Sequence, residues 1–207
     1  MCDRATYCRR TAVTAALLLI PVPGAEAFVS GLTSPITSGI DGHGEWVSPR
    51  NCTTPSWTGL LAVGIWNYSY RLTVPSGSVY QFLLRTSPSF TDCNIWNATV
   101  IRSHVSNCMV EFFPTPASSN PSRPPYPYLP AKFQGIKLDS CSGTLIEFSF
   151  NSPKVLIWGD FYARDPRQGT AGNCAWNAGF LTTNPTSPPS DGWRKHHVLV
   201  PDSEFGG

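Results

Sequence analysis

The sequence predicts an all-β protein, an antiparallel β-sandwich or jelly roll of about eight strands. The first observation is an alternation of apolar and polar residues over residues 66–74 and again over residues 146–150. Alternation sends successive side chains to opposite faces of a strand, which is typical of a sheet with one solvated face. The second is turn chemistry between such segments, as at residues 75–77 and 142–143. The third is that, after residue 27, apolar residues nowhere recur at helical spacing over three turns.

The composition is that of a folded, weakly charged protein. Of 207 residues, 41% are hydrophobic and 12% aromatic, too many for a disordered chain. Charged residues make up 14%, below the ~25% of an average soluble domain, so Ser, Thr and Asn supply much of the polarity. The formal net charge is +2, with no long run of either sign. We therefore expect no nucleic-acid partner recruited by bulk charge.

The first 27 residues have the three parts of a secretory signal peptide. Three arginines make a positive start: Arg4, Arg9 and Arg10. Residues 12–20 form a mainly apolar stretch, and residues 25–27 (AEA) place small residues before a cleavage site that we predict after Ala27. The apolar stretch is too short for a membrane anchor, which needs ~20 residues. The adjacent Arg9 and Arg10 leave a twin-arginine signal as the alternative export route.

Cleavage leaves residues 28–207, which we expect to be a single secreted or cell-surface domain. A chain of this size buries enough surface for a full core without a metal. Its longest apolar run, residues 60–66, is far too short to span a bilayer. We therefore expect no transmembrane segment in the mature chain and no cofactor.

Five cysteines remain after Cys2 and Cys8 are removed from the seven in the sequence. Cysteines of exported proteins usually oxidise, and an odd number allows two intrachain bridges at most. We predict Cys93–Cys108 and Cys141–Cys174, with Cys52 left over, although the sequence does not fix the connectivity. Zinc binding is disfavoured, because no pair of cysteines has C-x-x-C spacing.

Residues 114–130 contain seven prolines, which fix φ and cannot donate to a strand ladder. We interpret this segment as an extended loop that crosses the outside of the sandwich. The alternative is a polyproline ligand for an aromatic groove.

Several blocks in the second half of the chain match a known pattern. In chain order they are Asn120-Pro121, Leu129-Pro130, residues 133–139 (FQGIKLD), residues 146–150 (IEFSF), residues 155–165 (VLIWGDFYARD), residues 175–180 (AWNAGF) and residues 197–202 (HVLVPD). Together they resemble the extracellular domain of bacterial PEP-CTERM surface proteins, the exosortase-sorted group of Gram-negative bacteria. The resemblance covers roughly residues 59–203 and is strongest at residues 158–165.

The resemblance implies a surface or matrix role, often in bacteria that produce polysaccharides, and no established enzymatic activity. Family members continue from the HVLVPD-like strand into a Pro-Glu-Pro motif, an apolar helix and a basic tail, none of which appears before Gly207. We expect either release as a soluble domain or an anchor outside this sequence.

Asp160 follows four consecutive apolar residues and Gly159, which indicates a carboxylate just past a buried strand. Such an Asp caps a turn through hydrogen bonds to neighbouring amides. Alternatively, it supplies a hard oxygen to Ca²⁺ with Asp165, and with further oxygens from Asp139, Asn173 or Asn177. No run matches a calcium loop, and we expect no metal site.

The sequence favours a non-enzyme. Glycoside hydrolysis needs two carboxylates across a cleft. The candidate acids lie in no catalytic signature: Glu45, Glu111, Glu147, Asp160 and Asp165. No G-x-S-x-G elbow is present either.

Our leading interpretation is a secreted, non-catalytic cell-surface or extracellular-matrix protein. We expect its partners to be extracellular polysaccharide or other surface proteins. The runner-up is a carbohydrate-binding module, because tryptophans are numerous and rings stack on sugars; Trp176 and Trp193 are the stacking candidates. A glycoside hydrolase ranks third. The acceptor sequons at Asn51, Asn67 and Asn97 matter only in a eukaryotic host.

Overall fold

The computed structural model describes residues 27–31, 39–48, 51–103, 107–117, 126, 128–130, 133–167, 172–180, 182–185 and 196–202. Nearly all of its regular structure is strand, arranged in antiparallel sheets. One sheet has five strands, in the spatial order β1 (Ala27–Gly31), β5 (Thr54–Ala62), β6 (Ile65–Thr73), β11 (Leu145–Ser152) and β8 (Trp96–Arg102). The all-β prediction is confirmed.

The second large sheet has six strands. Their order is β2 (Ile40–His43), β14 (Cys174–Asn177), β13 (Phe161–Arg164), β7 (Gln81–Arg85), β10 (Phe133–Asp139) and β9 (Met109–Ala117). Two short ribbons complete the described strands, β3 (Val47–Ser48) with β4 (Asn51–Cys52) and β12 (Leu156–Gly159) with β15 (Val198–Pro201). The two large sheets alone hold more strands than the eight or so predicted, because several are only four or five residues long.

The two large sheets pack face to face as a sandwich. Phe82 of the six-stranded sheet lies 6.3 Å from Tyr70 and 5.4 Å from Phe148 of the five-stranded sheet, measured between ring centroids. Alternation places these rings inward and their polar neighbours outward, as the burial of every second residue of β11 shows. The aromatic residues of the sequence therefore lie largely in the layer between the sheets.

A smaller apolar cluster lies on the outer face of the six-stranded sheet. Leu83, Tyr162 and Cys174 project from this sheet and are covered by Tyr126 and Leu129. Both covering residues belong to the proline-rich segment, most of which lies outside the described residues. Its beginning is not a loop as predicted, because β9 continues through Pro114 and Pro116 to Ala117. An edge strand tolerates proline, since its outward amides need no partner.

The disulfide connectivity differs from the prediction. Cys108 is bonded to Cys141, whereas Cys93 is exposed and Cys174 is buried, both as free thiols. The expected pairs Cys93–Cys108 and Cys141–Cys174 are therefore wrong. The register of β9 and β10 explains the observed bridge, because Met109 pairs with Asp139 and brings the flanking cysteines together. The side chain of Cys52 lies outside the described residues.

Burial explains why the thiol of Cys174 is unreactive. Desolvation by burial raises the pKa of its thiol to about 12, in spite of a backbone hydrogen bond at His43 that lowers it. A thiol with so high a pKa is a poor nucleophile at neutral pH, because the thiolate is the reactive form. Cys174 therefore acts as a core residue.

Among the described residues, no helix is both long and apolar enough to cross a membrane.

The β5–β6 hairpin contains a strained turn. Its two central residues, Val63 and Gly64, have φ values of 51° and 72°. Positive φ at both positions is typical of a type I′ turn, which prefers Asn-Gly. A β-branched residue rarely adopts this conformation, and the Val63 side chain is 81% exposed and gains no burial in return.

We expect Val63→Asn to stabilise the protein by about 1 kcal/mol, the approximate cost of a left-handed conformation for a residue other than Gly or Asn. Thermal unfolding should show a Tm higher by about 2–4 °C. Val155→Asn is the matched control, because Val155 is also exposed but is absent from the residues with positive φ. An equal change in both variants would contradict the role of the turn.

Candidate functional site

The solvent-facing side of the five-stranded sheet carries polar side chains in rows that cross four strands. In the first row, Ser56 of β5 pairs with Arg71 of β6, Arg71 with Glu147 of β11, and Glu147 with Arg102 of β8. Residues at such positions have side chains on the same face of the sheet and in mutual contact range. The first row is therefore a continuous strip of polar and charged groups.

Two neutral rows run beside the charged one. The second row consists of Thr58, Ser69, Ser149 and Thr99. The third row consists of Leu60, Asn67, Asn151 and Trp96. We call the twelve residues of the three rows the polar face. It offers hydroxyls, amides and an indole ring on one surface, with few formal charges.

Hydrogen bonds within the polar face organise its neutral part. The Asn67 Nδ2 donates to Asn151 Oδ1 at 2.9 Å, and the Ser69 hydroxyl lies 3.4 Å from Asn67 Oδ1. Asn67 is half-buried by these neighbours, whereas Asn97 at the edge of the sheet is exposed with φ 52°. Of the three sequons, Asn97 is thus open to solvent, and the side chain of Asn51 lies outside the described residues.

Ion pairs fix the charged row. Arg71 Nη1 lies 3.2 Å from Glu147 Oε1, and Arg102 Nε lies 3.0 Å from Glu147 Oε2. The Glu147 side chain is 19% exposed, against 55% for Arg71 and 64% for Arg102. The carboxylate therefore lies deeper than the two guanidinium groups, which reach into solvent on either side of it.

A cleft of ≈ 230 Å³ opens on the polar face. Its outward-facing lining combines three hydroxyls, the Arg71–Glu147 pair and one aliphatic side chain: Ser56, Thr58, Ser69, Arg71, Glu147 and Ile101. Trp57, Tyr70 and Phe148 also line it, and their burial in the core makes the floor rigid. Hydroxyl, guanidinium and carboxylate groups around a rigid floor suit a ligand that is itself rich in hydroxyl groups.

The structure places Asp160 in a buried polar cluster between β12 and β13. Asp160 Oδ1 accepts from Asn177 Nδ2 at 2.8 Å, and Asp160 Oδ2 lies 3.4 Å from Arg85 Nη1. The ring nitrogen Nδ1 of His197 is 3.6 Å from Oδ1. Asn177 also accepts from the main-chain N–H of Phe161 at 2.8 Å. Asp160 is thus fully buried and held by donors of the protein itself.

Asp165 lies at the other end of β13. Its carboxylate accepts from the main-chain N–H and from Nε of Arg167, at 3.0 and 2.7 Å. Asn173 Oδ1, another suggested calcium ligand, accepts from the main-chain N–H of Glu45 at 2.8 Å. Within the described residues, no three His, Cys, Asp or Glu side chains form a group able to hold a metal ion.

Lys137 joins two further carboxylates on the outer face of the six-stranded sheet. Its Nζ lies 2.7 Å from Glu111 Oε1 and 2.8 Å from Asp139 Oδ2. Partial burial raises the pKa of Asp139, but hydrogen bonds from Lys137, Gln81 and the Ser140 main chain outweigh it and hold the pKa below its usual value. Asp139 is therefore an ionised structural group.

The predicted glycan-stacking tryptophans lie away from the cleft or outside the described residues. Trp176 of β14 is half-buried and stacks on Tyr162 with a centroid distance of 6.4 Å and an interplanar angle of 15°. It belongs to the six-stranded sheet, the layer opposite the polar face. Trp193 lies outside the described residues. Sequence reasoning missed the polar face, although the alternating Asn67, Ser69 and Arg71 were its visible signal.

The chain matches no family model, no curated protein and no solved structure. The resemblance to PEP-CTERM proteins therefore stays a prediction, and the geometry above is the basis for assigning a function.

Proposed function

We propose that the chain is an exported, non-catalytic protein of the cell surface or extracellular matrix, of the PEP-CTERM type. The observation that carries this proposal is the Cys108–Cys141 bridge, since structural disulfides persist mainly outside the cytosol. The signal-like N-terminus, with its predicted cleavage site after Ala27, supports it.

The arrangement of acids supports a non-catalytic role. A glycosidase keeps one carboxyl protonated and a second one free to attack or to activate water. Here Glu147 lies between two arginines, Asp160 faces Arg85 and Asp165 faces Arg167. Each of these carboxylates is already engaged by a guanidinium group of the protein itself, which opposes service as a free catalytic carboxyl.

A test of export uses the full chain with residues 1–27, produced in a Gram-negative host. We expect a mature protein outside the cytoplasm whose mass corresponds to a chain beginning at Phe28. Thiol labelling followed by peptide mapping should modify Cys93 in the native protein, Cys174 only after unfolding, and Cys108 and Cys141 only after reduction. Retention of an unprocessed chain in the cytoplasm, with Cys108 and Cys141 labelled without reduction, would overturn the proposal.

The cleft favours a second function, carbohydrate binding by the polar face. A sugar ring presents several hydroxyls and an apolar face, and the cleft offers hydroxyls beside Ile101, which is 58% exposed. This surface replaces Trp176 and Trp193 as the preferred binding site, because it combines a shaped cleft with polar groups on a rigid sheet.

We expect Ser69→Tyr to weaken carbohydrate binding strongly. Ser69 projects into the cleft, so a phenol ring fills it, while the high β-propensity of Tyr preserves the strand. Affinity electrophoresis through gels containing neutral or acidic polysaccharides should show a loss of about tenfold or more, or ~1.4 kcal/mol. Thr73→Tyr is the matched control, because Thr73 lies on the same strand, is exposed and does not line the cleft. Binding that survives Ser69→Tyr but is lost in Trp176→Ala would move the site to the other sheet.

A further inference from the structure

We propose that the cleft on the polar face binds an acidic sugar residue, with its ring hydroxyls held by Ser56, Thr58 and Ser69. Its carboxylate is held between Arg71, which lines the cleft, and Arg102, which lies beside the cleft on the far side of Glu147. This inference rests on the carbohydrate-binding function proposed above and names the class of ligand. A polysaccharide of uronic acids is the occupant that the chemistry of the cleft selects.

Two arginines of the charged row flank one carboxylate. Arg71 and Arg102 lie on strands β6 and β8, on opposite sides of Glu147 in the first row. A guanidinium group carries five N–H donors. In the ion pairs described above, Glu147 engages one nitrogen of each arginine, Nη1 of Arg71 and Nε of Arg102. Each group thus has further N–H donors with which to bind a second acceptor.

Glu147 lies deeper in the polar face than the two arginines. Because its side chain is 19% exposed and the arginines are more than half exposed, Glu147 anchors the guanidinium groups from below. Anchoring limits the side-chain entropy that the arginines lose when a ligand binds. Glu147 is accordingly a positioning residue, and a ligand contacts the outer edges of the two arginines.

The charged row carries a net positive charge. Two guanidinium groups and one carboxylate leave the charged row with a surplus of one positive charge, and the neighbouring rows add no formal charge. Guanidinium groups bind carboxylates through paired, charge-assisted hydrogen bonds. A neutral sugar leaves this surplus unused, whereas a uronate neutralises it.

The size and surroundings of the cleft suit one sugar ring within a polymer. At ≈ 230 Å³ the cleft is smaller than the ~300–1,000 Å³ typical of sites for drug-sized ligands, so it accommodates a single sugar ring. The second and third rows continue across the same face with Ser149, Thr99, Asn151 and the half-buried Trp96. These residues provide a path for the neighbouring sugars of a polymer.

The test compares one polysaccharide with and without its charge. Polygalacturonate and its fully methyl-esterified form have the same backbone, and the ester removes the carboxylate charge and adds one methyl group to each sugar. We expect isothermal titration calorimetry of the mature protein to show at least tenfold weaker binding of the ester. Raising NaCl from about 50 to 500 mM should weaken binding of the acid form, because salt screens exposed charges.

Variants assign the effect to the two arginines. Arg71→Gln and Arg102→Gln should each weaken binding of polygalacturonate about tenfold and weaken binding of the ester by much less, because the ester carries no charge for the lost guanidinium group to neutralise. Arg167→Gln removes the same charge at Asp165, away from the polar face, and should leave both affinities unchanged. A far-ultraviolet circular dichroism spectrum and Tm establish that each variant is folded.

The outcomes separate this inference from the function on which it rests. Equal affinity for the acid and its ester, lost in Ser69→Tyr, would overturn the acidic ligand and preserve carbohydrate binding. Binding of the acid that survives both arginine variants would also overturn the inference. If the protein binds neither polymer and no other polysaccharide, both proposals are wrong.

Discussion

A Cys108→Ala/Cys141→Ala variant should lose roughly 3–4 kcal/mol of its free energy of unfolding. The bridge joins residues 33 positions apart, and a cross-link of that length removes roughly this amount of loop-closure entropy from the unfolded chain. The position of the bridge in the fold also contributes to the stability that it provides. Cys108 precedes β9, which lies at the edge of the six-stranded sheet, so the bridge holds β9 against β10, its one neighbour among the described strands of that sheet. The expected decrease in Tm is about 10 °C for a domain of this size.

Chemical denaturation and calorimetry under oxidising conditions measure this loss. Cys93→Ala is the control, because Cys93 is an exposed free thiol and should leave Tm unchanged. Reducing agent should destabilise the wild-type protein to the level of the double variant, and should leave the double variant unaffected. If reduction lowered the Tm of the double variant as well, a second bridge would carry part of the effect.

The bridge also illustrates what the sequence could not predict. Alternation over residues 66–74 and 146–150 predicted strands β6 and β11 correctly, since alternation is a local property of the chain. The partner of Cys108 depends instead on the register between β9 and β10, which are separated along the chain by the proline-rich segment. Register is set by packing of the sandwich as a whole, so spacing between cysteines suggested the wrong pairs.

The candidate site escaped prediction for the same reason. In the sequence, each polar residue of the polar face has the pattern of an ordinary solvated position on a strand. Ser56, Arg71 and Glu147 become neighbours only when β5, β6 and β11 pair in register. Three tryptophans, Trp46, Trp57 and Trp158, are almost entirely buried, so the number of tryptophans in the sequence does not by itself indicate a sugar-binding surface. In a sandwich of this size, large rings are needed first to fill the space between the sheets.

Asp160, by contrast, was indicated by the sequence as a carboxylate just past a buried strand. The structure shows which groups it contacts, namely Arg85 and Asn177. We expect Asp160→Ala to destabilise the protein by about 3 kcal/mol or more, because it removes a fully buried carboxylate that accepts from Asn177 and faces Arg85. Asp160→Asn should lie between wild type and Asp160→Ala. It retains an acceptor for Asn177 and loses the charge that faces Arg85.

A double-mutant cycle with Arg85→Met separates this pair from general loss of packing. If the carboxylate acts through Arg85, the loss in the double variant is smaller than the sum of the single losses by roughly 1 kcal/mol or more. The calcium alternative makes a different prediction. A calcium site would raise the wild-type Tm when CaCl₂ is added and lower it with chelator, since a ligand that binds the folded state stabilises it. Because protein donors already engage both carboxylate oxygens, we expect Tm to be the same with Ca²⁺ and with chelator, in wild type and in Asp160→Asn alike.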